Sequence, residues 1–396
     1  MTALGPLMLL AALVSAIYAA GASGYGHCTG RTALVQSGRR AALSVTALIG
    51  LASLALLYGL FVHDFHYVYV AEHSSLVTPW YYRLSSFYSG QQGSLLYWAL
   101  ILSIFSAVVI VREPKRFPEL IPFVTATLMS VEIFMLIVLV FVAGPFERLS
   151  QPLADGQGLN PLLQDPGMLI HPPMLLAGLA SWSVPFAFVV AALVSGRLNS
   201  EWIRATRPYA LIAWGILGIG NLLGAWWAYH VLGWGGYWGW DPVENAAIMP
   251  WFVGTAYLHS VMVQERRGML KVWNVGLLML AFALSIFGTF VVRSDILTSV
   301  HSFAQSSIGP FFFGFLLIVL AVCLWLIYWR MPRLQSENGI DSAVSREGAF
   351  LLNNLLFIGI VFATFWGTIL PLLSDAVGGQ KLTVGPPFFN QINGPI

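Results

Sequence analysis

Charge is scarce in this chain. Of its 396 residues only 9% are Asp, Glu, Lys or Arg, while 58% are hydrophobic, and the mean hydropathy is +0.76. No water-soluble core is built from such a mixture, so a soluble enzyme or binding module is excluded and a polytopic membrane protein is indicated. Cysteine is scarcer still: Cys28 and Cys323 stand far apart and form no C-x-x-C. That excludes a disulfide framework, a thiol relay and an attachment motif of the C-x-x-C-H kind. Met1 leads directly into an apolar run with no basic leader and no evident cleavage site, which reads as a retained first span rather than a signal peptide.

What the chain has in abundance is long apolar runs. Ten reach the roughly 20 residues that cross a bilayer, at 4–22, 41–62, 94–111, 119–143, 168–195, 208–229, 243–264, 272–291, 310–329 and 349–372. The expected fold is an all-α polytopic bundle of about ten transmembrane helices, one integral-membrane unit over 1–396, with an outer loop of about 24 residues after the tenth span and more helices expected beyond its end. The few cations orient it. Fifteen of the 19 Lys and Arg fall in five alternate loops, around Arg39, Arg116, Arg204, Arg267 and Arg333; Arg83, Arg148, Arg293 and Lys381 fall on the other side. By the positive-inside rule the first set is cytoplasmic and both ends of this chain lie outside.

One outer stretch is unlike the rest. Residues 224–245 read G-A-W-W-A-Y-H-V-L-G-W-G-G-Y-W-G-W-D-P-V-E-N, with seven aromatics and five of the chain's 15 Trp among five glycines. Trp and Tyr gather at membrane interfaces in any case. At this density, on a glycine-rich backbone, they read instead as an apolar shelf for a flat conjugated ligand. Asp241-Pro242-Val243-Glu244 then reads as a helix start, with Asp241 as N-cap, Pro242 at the first position and Glu244 closing a capping box. A second outer segment, 63–93, is also aromatic, ends in S-G-Q-Q-G-S and reads as an interfacial re-entry.

The histidines sort by depth. His27 falls in a cytoplasmic loop, and His63, His66, His73, His171, His230 and His301 at or beyond the outer surface. For His63, His66 and His73 a solvated loop residue is the expectation. His171 precedes Pro172-Pro173, which read as a helix beginning and hold it outward at the membrane rim. His301 stands at the same rim in the outer loop 292–309, so the two form a candidate metal-ligating pair. His259 alone lies inside a span, where an imidazole must face protein; it reads as an iron ligand lacking an in-span partner, or as a hydrogen bond to a neighbouring helix. Glu132, at mid-depth in the fourth span, reads equally as a proton or quinone site and as a satisfied structural carboxyl.

Taken in order, S-G-Q-Q-G-S, I-H-P-P, W-G-G-Y-W-G-W-D-P-V-E-N from Trp234 to Asn245, T-A-Y-L-H-S at 255–260 and S-V-H-S-F-A at 299–304 resemble the haem-handling, Trp-rich (WWD) membrane proteins of cytochrome c maturation. Within that group the match is to the large haem-lyase subunits of the CcmF family; the haem exporters and synthetase subunits have fewer spans. The resemblance implies that His171 and His301 bind the iron of the haem to be attached, and that Trp234, Trp238, Trp240 and Asp241 form its shelf. It implies that His259 is an axial ligand of a permanent b-type haem, the partner histidine lying beyond residue 396. Tyr237 stands where the family often has Trp, so an aromatic is kept. The implied partners are a haem chaperone of the CcmE type, an apocytochrome-presenting subunit of the CcmH/CcmI type, apocytochrome c, membrane lipid and quinol. The implied location is the bacterial cytoplasmic (inner) membrane, with the Trp-rich site on the periplasmic face, and the implied activity is that of a haem lyase working in a complex. None of these residues acts as a nucleophile, since the thiols of the apoprotein attack.

Two other classes stay open on the residues alone. A transporter of haem or another small molecule would show broken spans and polar groups meeting at mid-membrane, often in repeated halves; no half-repeat is visible, though Glu132 and Asn221 leave room for it. An electron-transfer cytochrome b would pair histidines within spans, and here only His259 qualifies.

Overall fold

The computed structural model describes residues 2–233, 235–293, 308–335, 345–379 and 382–396. Trp234, His301 and Lys381 lie outside the described residues. The described chain is all-α. Its helices are α1 (Gly5–Cys28), α2 (Thr32–Phe61), α3 (Val68–His73), α4 (Trp80–Ser89), α5 (Gln91–Arg112), α6 (Ile121–Phe141), α7 (Pro166–Ser181), α8 (Ser183–Ser195), α9 (Ser200–Val231), α10 (Pro242–Arg267), α11 (Lys271–Arg293), α12 (Gly309–Leu334), α13 (Arg346–Gly378) and α14 (Pro386–Asn393). Ten stretches among them are long and apolar enough to cross a membrane, as many as the apolar runs predict.

Lipid offers these helices no hydrophobic reward for touching one another, so they associate by close packing. Small residues set the contacts. α1 and α2 are in extensive contact, Ala12, Ala16 and Ala19 of α1 and Ala42, Val45 and Ala52 of α2 are all buried, and a Cβ on Gly38 would come within 2.6 Å of Ser23 Oγ. The tightest crossing is α7 on α9. A Cβ on Gly178 of α7 would lie 2.5 Å from Leu217 Cα, and one on Gly220 of α9 would lie 2.8 Å from Leu175 Cα. Around this pair, α5, α8, α10 and α11 pack inward, while α12 and α13 stay open to the surroundings on most of their surface.

Three expectations are corrected. The fifth span is two helices, α7 and α8, broken at the buried Trp182. Pro172 and Pro173 do not open it: α7 starts six residues before them at Pro166, capped by Asp165, whose carboxylate accepts from Gly167 N at 2.7 Å. A proline inside a helix frees the carbonyl four residues back. Here the carbonyl four before Pro173 belongs to Leu169, and it accepts the Tyr88 hydroxyl at 3.2 Å, so the interior prolines are tolerated. Finally, the stretch after the tenth span is not all loop, because α14 forms within it and packs on α13.

The two faces are held differently. On the basic side, His27 ends α1 rather than lying in a loop and meets Glu119 at 3.6 Å; Arg197 also meets Glu119, Arg207 meets Glu265 at 2.8 Å and Arg267 meets Glu347 at 3.1 Å. Arg330 of α12 donates to the last carbonyls of α8, Leu193 O and Val194 O. On the opposite side the segment 63–93 folds as α3 and α4 and is covered by residues 147–157 through backbone bonds such as Val68 N to Glu147 O and Gln157 N to Ala71 O. Tyr69 donates to Ser86 O and accepts from Gly90 N, which locks α3 to the start of α5. Arg293, at the outer end of α11, is buried there and donates to Gln91 O and Ser94 Oγ.

Of the three histidines expected in solvent, His66 is exposed and pairs with Asp64, but His73 stacks on the Tyr69 ring at 4.2 Å and turns Nδ1 to Tyr69 O. Burial pushes its pKa below the usual histidine range. A depressed folded-state pKa makes acid destabilising: as pH falls below about 6.5 the unfolded chain takes up a proton that the folded chain refuses. The outer α3–α4 layer is therefore expected to lose protection in hydrogen exchange between pH 7 and pH 5, and His73→Phe to flatten that dependence. The packing argument gives a second expectation. Gly178→Val should lower the unfolding midpoint in detergent, at a cost of about 1–3 kcal/mol, whereas Gly276→Ala, whose Cβ would meet nothing within 4 Å, should not.

Candidate functional site

The α7–α9 crossing places His171. Gly220 and Gly224 form a small-x-x-x-small pair within the sixth span, and they clear space for the ring. A Cβ at 224 would fall 2.6 Å from His171 Cε1. Into that space His171 turns inward, not outward as the sequence suggests, and its Nδ1 donates to Gly220 O at 2.9 Å. A carbonyl can only accept, so the neutral ring carries its proton on Nδ1 and its lone pair on Nε2. A backbone carbonyl that holds one ring nitrogen is also what orients metal-ligating imidazoles elsewhere. Trp227 flanks the ring at 5.7 Å between centroids, and Gly167 lies against Trp227.

His171 lines a cavity with Leu175, Asn221, Gly224, Ala225, Trp238, Val243, Glu244 and Ala247. Its volume is about 40 Å³, room for little more than a water molecule. This nook is far smaller than a macrocycle.

The Trp-rich loop is shaped by the start of α10. The predicted capping box is present: Asp241 accepts from Val243 N at 2.9 Å, and Glu244 Oε2 accepts from Gly239 N at 2.9 Å and Asp241 N at 3.2 Å. One carboxylate thus fixes both the loop and the wall of the His171 nook. The indoles do not form one flat sheet. Trp238 and Trp240 meet edge to face at 5.9 Å. Trp238 lines the His171 cavity, whereas Trp240 turns the other way, stacking on Phe389 of α14 and donating its Nε1–H to Asn390 Oδ1. Trp240 does so with φ at +53°, in the left-handed region, and Asn245 Nδ2 holds its carbonyl. Trp240, Asn245, Thr368, Pro371 and Phe389 border a separate cavity of about 440 Å³. Tyr237 stacks on Tyr229 at 4.5 Å, and exposed His230 turns Nδ1 to Trp226 O.

His259 lies deeper, on α10, half-buried and flanked by Phe350 and Phe357 of α13, each at 5.9 Å. Its Nδ1 is closed off and has no hydrogen-bond partner among the described residues, so the alternative of a simple helix-to-helix hydrogen bond through that atom is not realised. Glu132 faces protein, fully enclosed, with neither carboxylate oxygen bonded. Among the described residues no group of three or more His, Cys, Asp or Glu comes together.

Residues 88–298 match the model of the cytochrome C assembly protein family. Over 396 residues the chain is 44% identical to the cytochrome c-type biogenesis protein CcmF of Pseudomonas aeruginosa, covering 99% of this chain and 60% of that protein. It belongs to the CcmF family. The Escherichia coli CcmF is 40% identical over 92% of this chain and 57% of its own length. A solved structure titled cytochrome c haem lyase CcmF superposes with a TM-score of 0.82 at 33% identity, over all of this chain and 59% of that one. The chain thus spans about 60% of the length of the relatives it matches.

Sequence reasoning singled out His171, Trp238, Asp241 and His259 but passed over the role of Gly220 and Gly224, although G-x-x-x-G inside a span is a readable sign of helix contact. It also read Glu244 only as a cap. In this family member Glu244→Ala should free the 232–241 loop. Limited proteolysis there is expected to quicken, and stability to fall by about 1–2 kcal/mol, with Glu244→Gln intermediate because it keeps one acceptor.

Proposed function

We propose that this chain is the haem-handling portion of a membrane haem lyase that presents haem for thioether attachment to the C-x-x-C-H of apocytochrome c. The observation that carries the reading is the inward-turned His171, whose Nδ1–H is spent on Gly220 O beside the Trp-rich loop. Haem is substrate here. In each thioether bond a cysteine sulfur of the apoprotein adds to a vinyl carbon and the thiol proton goes to its neighbour, so no nucleophile from this chain is needed. Its contribution is position, which converts a multi-component encounter into a local one. His171 and His301 are the proposed iron ligands on this face. Trp234, Trp238, Trp240 and Asp241 are the proposed border of the haem, with Trp238 beside the nook and Trp240 anchored on α14.

His259 is the proposed axial ligand of a resident b-type haem. A half-buried imidazole with aromatic walls and an enclosed, unbonded Nδ1 fits that use. Such a haem supplies a one-electron store, with quinol as its proposed source of electrons. A CcmE-type chaperone delivering haem and a CcmH/CcmI-type subunit presenting the apoprotein complete the proposed complex. We place it in the bacterial cytoplasmic membrane with the Trp-rich segment facing the periplasm.

The test is haem quantitation by pyridine haemochrome, with reduced-minus-oxidised spectra of purified protein and c-type cytochrome measured in cells. His171→Ala/His301→Ala is expected to keep its b-type spectrum while cytochrome c maturation falls by at least about tenfold. His259→Ala should lose the b-type spectrum. Full maturation in the double variant, or no haem in any of the proteins, would overturn the lyase reading and return the broken fifth span and Glu132 to the transporter hypothesis.

A further inference from the structure

α13 is open along most of its length, yet one polar residue in its inner half is completely enclosed. Asn354 has no exposed surface, and neither its Oδ1 nor its Nδ2 has a hydrogen-bond partner among the described residues. Burying an amide with both ends unsatisfied costs a few kcal/mol, so such a group is there for something that the protein atoms alone do not provide.

Its position identifies the neighbour. α10 and α13 run antiparallel and are pinned at both ends: Asn245 Nδ2 donates to Thr368 Oγ1 near the outer end, and Arg267 meets Glu347 at the inner end. Counting fourteen residues inward from the first bond along each helix leads to His259 on α10 and to Asn354 on α13. The aromatic contacts agree, because Phe350 and Phe357, one turn to either side of Asn354, both flank the His259 ring. The face that α13 turns to α10 thus runs Phe350, Asn354, Phe357, Val361, Thr364, Thr368 at helical spacing. On it Asn354 is the polar group level with the imidazole.

His259 lacks what three other helical histidines have. His73 and His230 each turn Nδ1 to the carbonyl four residues back, at 2.9 Å, and His171 turns Nδ1 to Gly220 O. His259 makes no such bond to Thr255 O, and its Nδ1 is enclosed without a partner. Metal-ligating histidines donate their second ring N–H to a carbonyl or carboxylate, which fixes the tautomer and raises the basicity of the ligating nitrogen. No hydrogen bond joins His259 and Asn354 in this structure; a rotation of the amide side chain is the movement that would make one.

We propose that Asn354 is the positioning residue for His259: its amide oxygen accepts the His259 Nδ1–H when the imidazole ligates iron through Nε2, and so holds the ligand's tautomer and tunes its strength. The inference rests on His259 being a haem ligand. Asn354 itself touches no reacting atom.

The experiment is a redox titration of the full-length membrane protein in detergent, followed by its visible spectrum, for wild type, Asn354→Leu, Asn354→Asp and His259→Ala. With the acceptor removed, Asn354→Leu should raise the midpoint potential, shifting the ferrous-to-ferric ratio at fixed ambient potential by roughly tenfold, or about 59 mV. Asn354→Asp supplies a stronger acceptor and should lower the potential. The rise on removing the acceptor in Asn354→Leu is the signature of a hydrogen bond to the ligand; the fall in Asn354→Asp accompanies it but also follows from the carboxylate's charge. If Asn354→Leu fails to fold, Asn354→Ala is the acceptor-free variant that decides. Unchanged potentials in variants that keep their haem, with haem lost only in His259→Ala, would overturn the role of Asn354 and leave the haem-ligand reading standing. Undiminished b-type haem in His259→Ala would overturn both.

Discussion

The contact of α7 with α9 governs the outer half of this molecule. Two helices lie almost backbone to backbone there, because Gly178 meets the main chain of α9 at Leu217 and Gly220 meets that of α7 at Leu175. In a bilayer this proximity is what helices have in place of a hydrophobic driving force. It also makes a main-chain carbonyl, Gly220 O, available to a side chain on the facing helix, and it opens at Gly224 a space shaped like an imidazole ring. The tautomer of the neutral His171 ring and its direction follow from that contact. Trp227, wedged against Gly167, and the Tyr88 hydroxyl on the carbonyl left over by Pro173 extend the same arrangement to the surrounding helices.

The two histidines proposed as ligands are prepared in different ways. His171 has its Nδ1 bond ready-made and sits beside a nook too small for anything but a ligating atom or a water. His259 stands among phenylalanines with Nδ1 unassigned. The first suits a ligand that comes and goes, since nothing need rearrange when iron leaves. The second suits one that arrives during assembly and stays, because its polar surroundings are complete only with a further group present.

Much of this was legible in the chain. Apolar runs gave the number of spans and most of their limits, because lipid forces every crossing segment to be helical and about 20 residues long. D-P-V-E announced the capping box, whose partners are all within four residues of one another. What could not be read were features fixed by residues distant in sequence. The prolines after His171 look like a helix start, although Asp165-Pro166 carries the same cap-and-proline signature as Asp241-Pro242; what nothing local shows is that the Tyr88 hydroxyl relieves the lost bond. The break at Trp182 did have a local mark that the reading of 168–195 as one run passed over: Pro185, three residues on, has no N–H to give to Ser181 O. His73 looks like any loop histidine until Tyr69 is found against it. Asn354 gives no signal at all in a span that tolerates polar residues on several faces.

Trp240 carries a consequence of a different kind. Its backbone sits in a region that bulky residues avoid, at a cost of order 1–3 kcal/mol, and three bonds keep it there: Asn245 on its carbonyl, Asn390 on its indole nitrogen and Phe389 against its face. Two of the three come from α14, 150 positions further along the chain. The Trp-rich loop is therefore a tensioned element whose clasp belongs to another segment. Whatever loosens α14 slackens the loop between Trp238 and Asp241, and with it the wall that Trp238 and Glu244 give to the His171 nook. Information about events at the far end of the chain has a mechanical route to the imidazole.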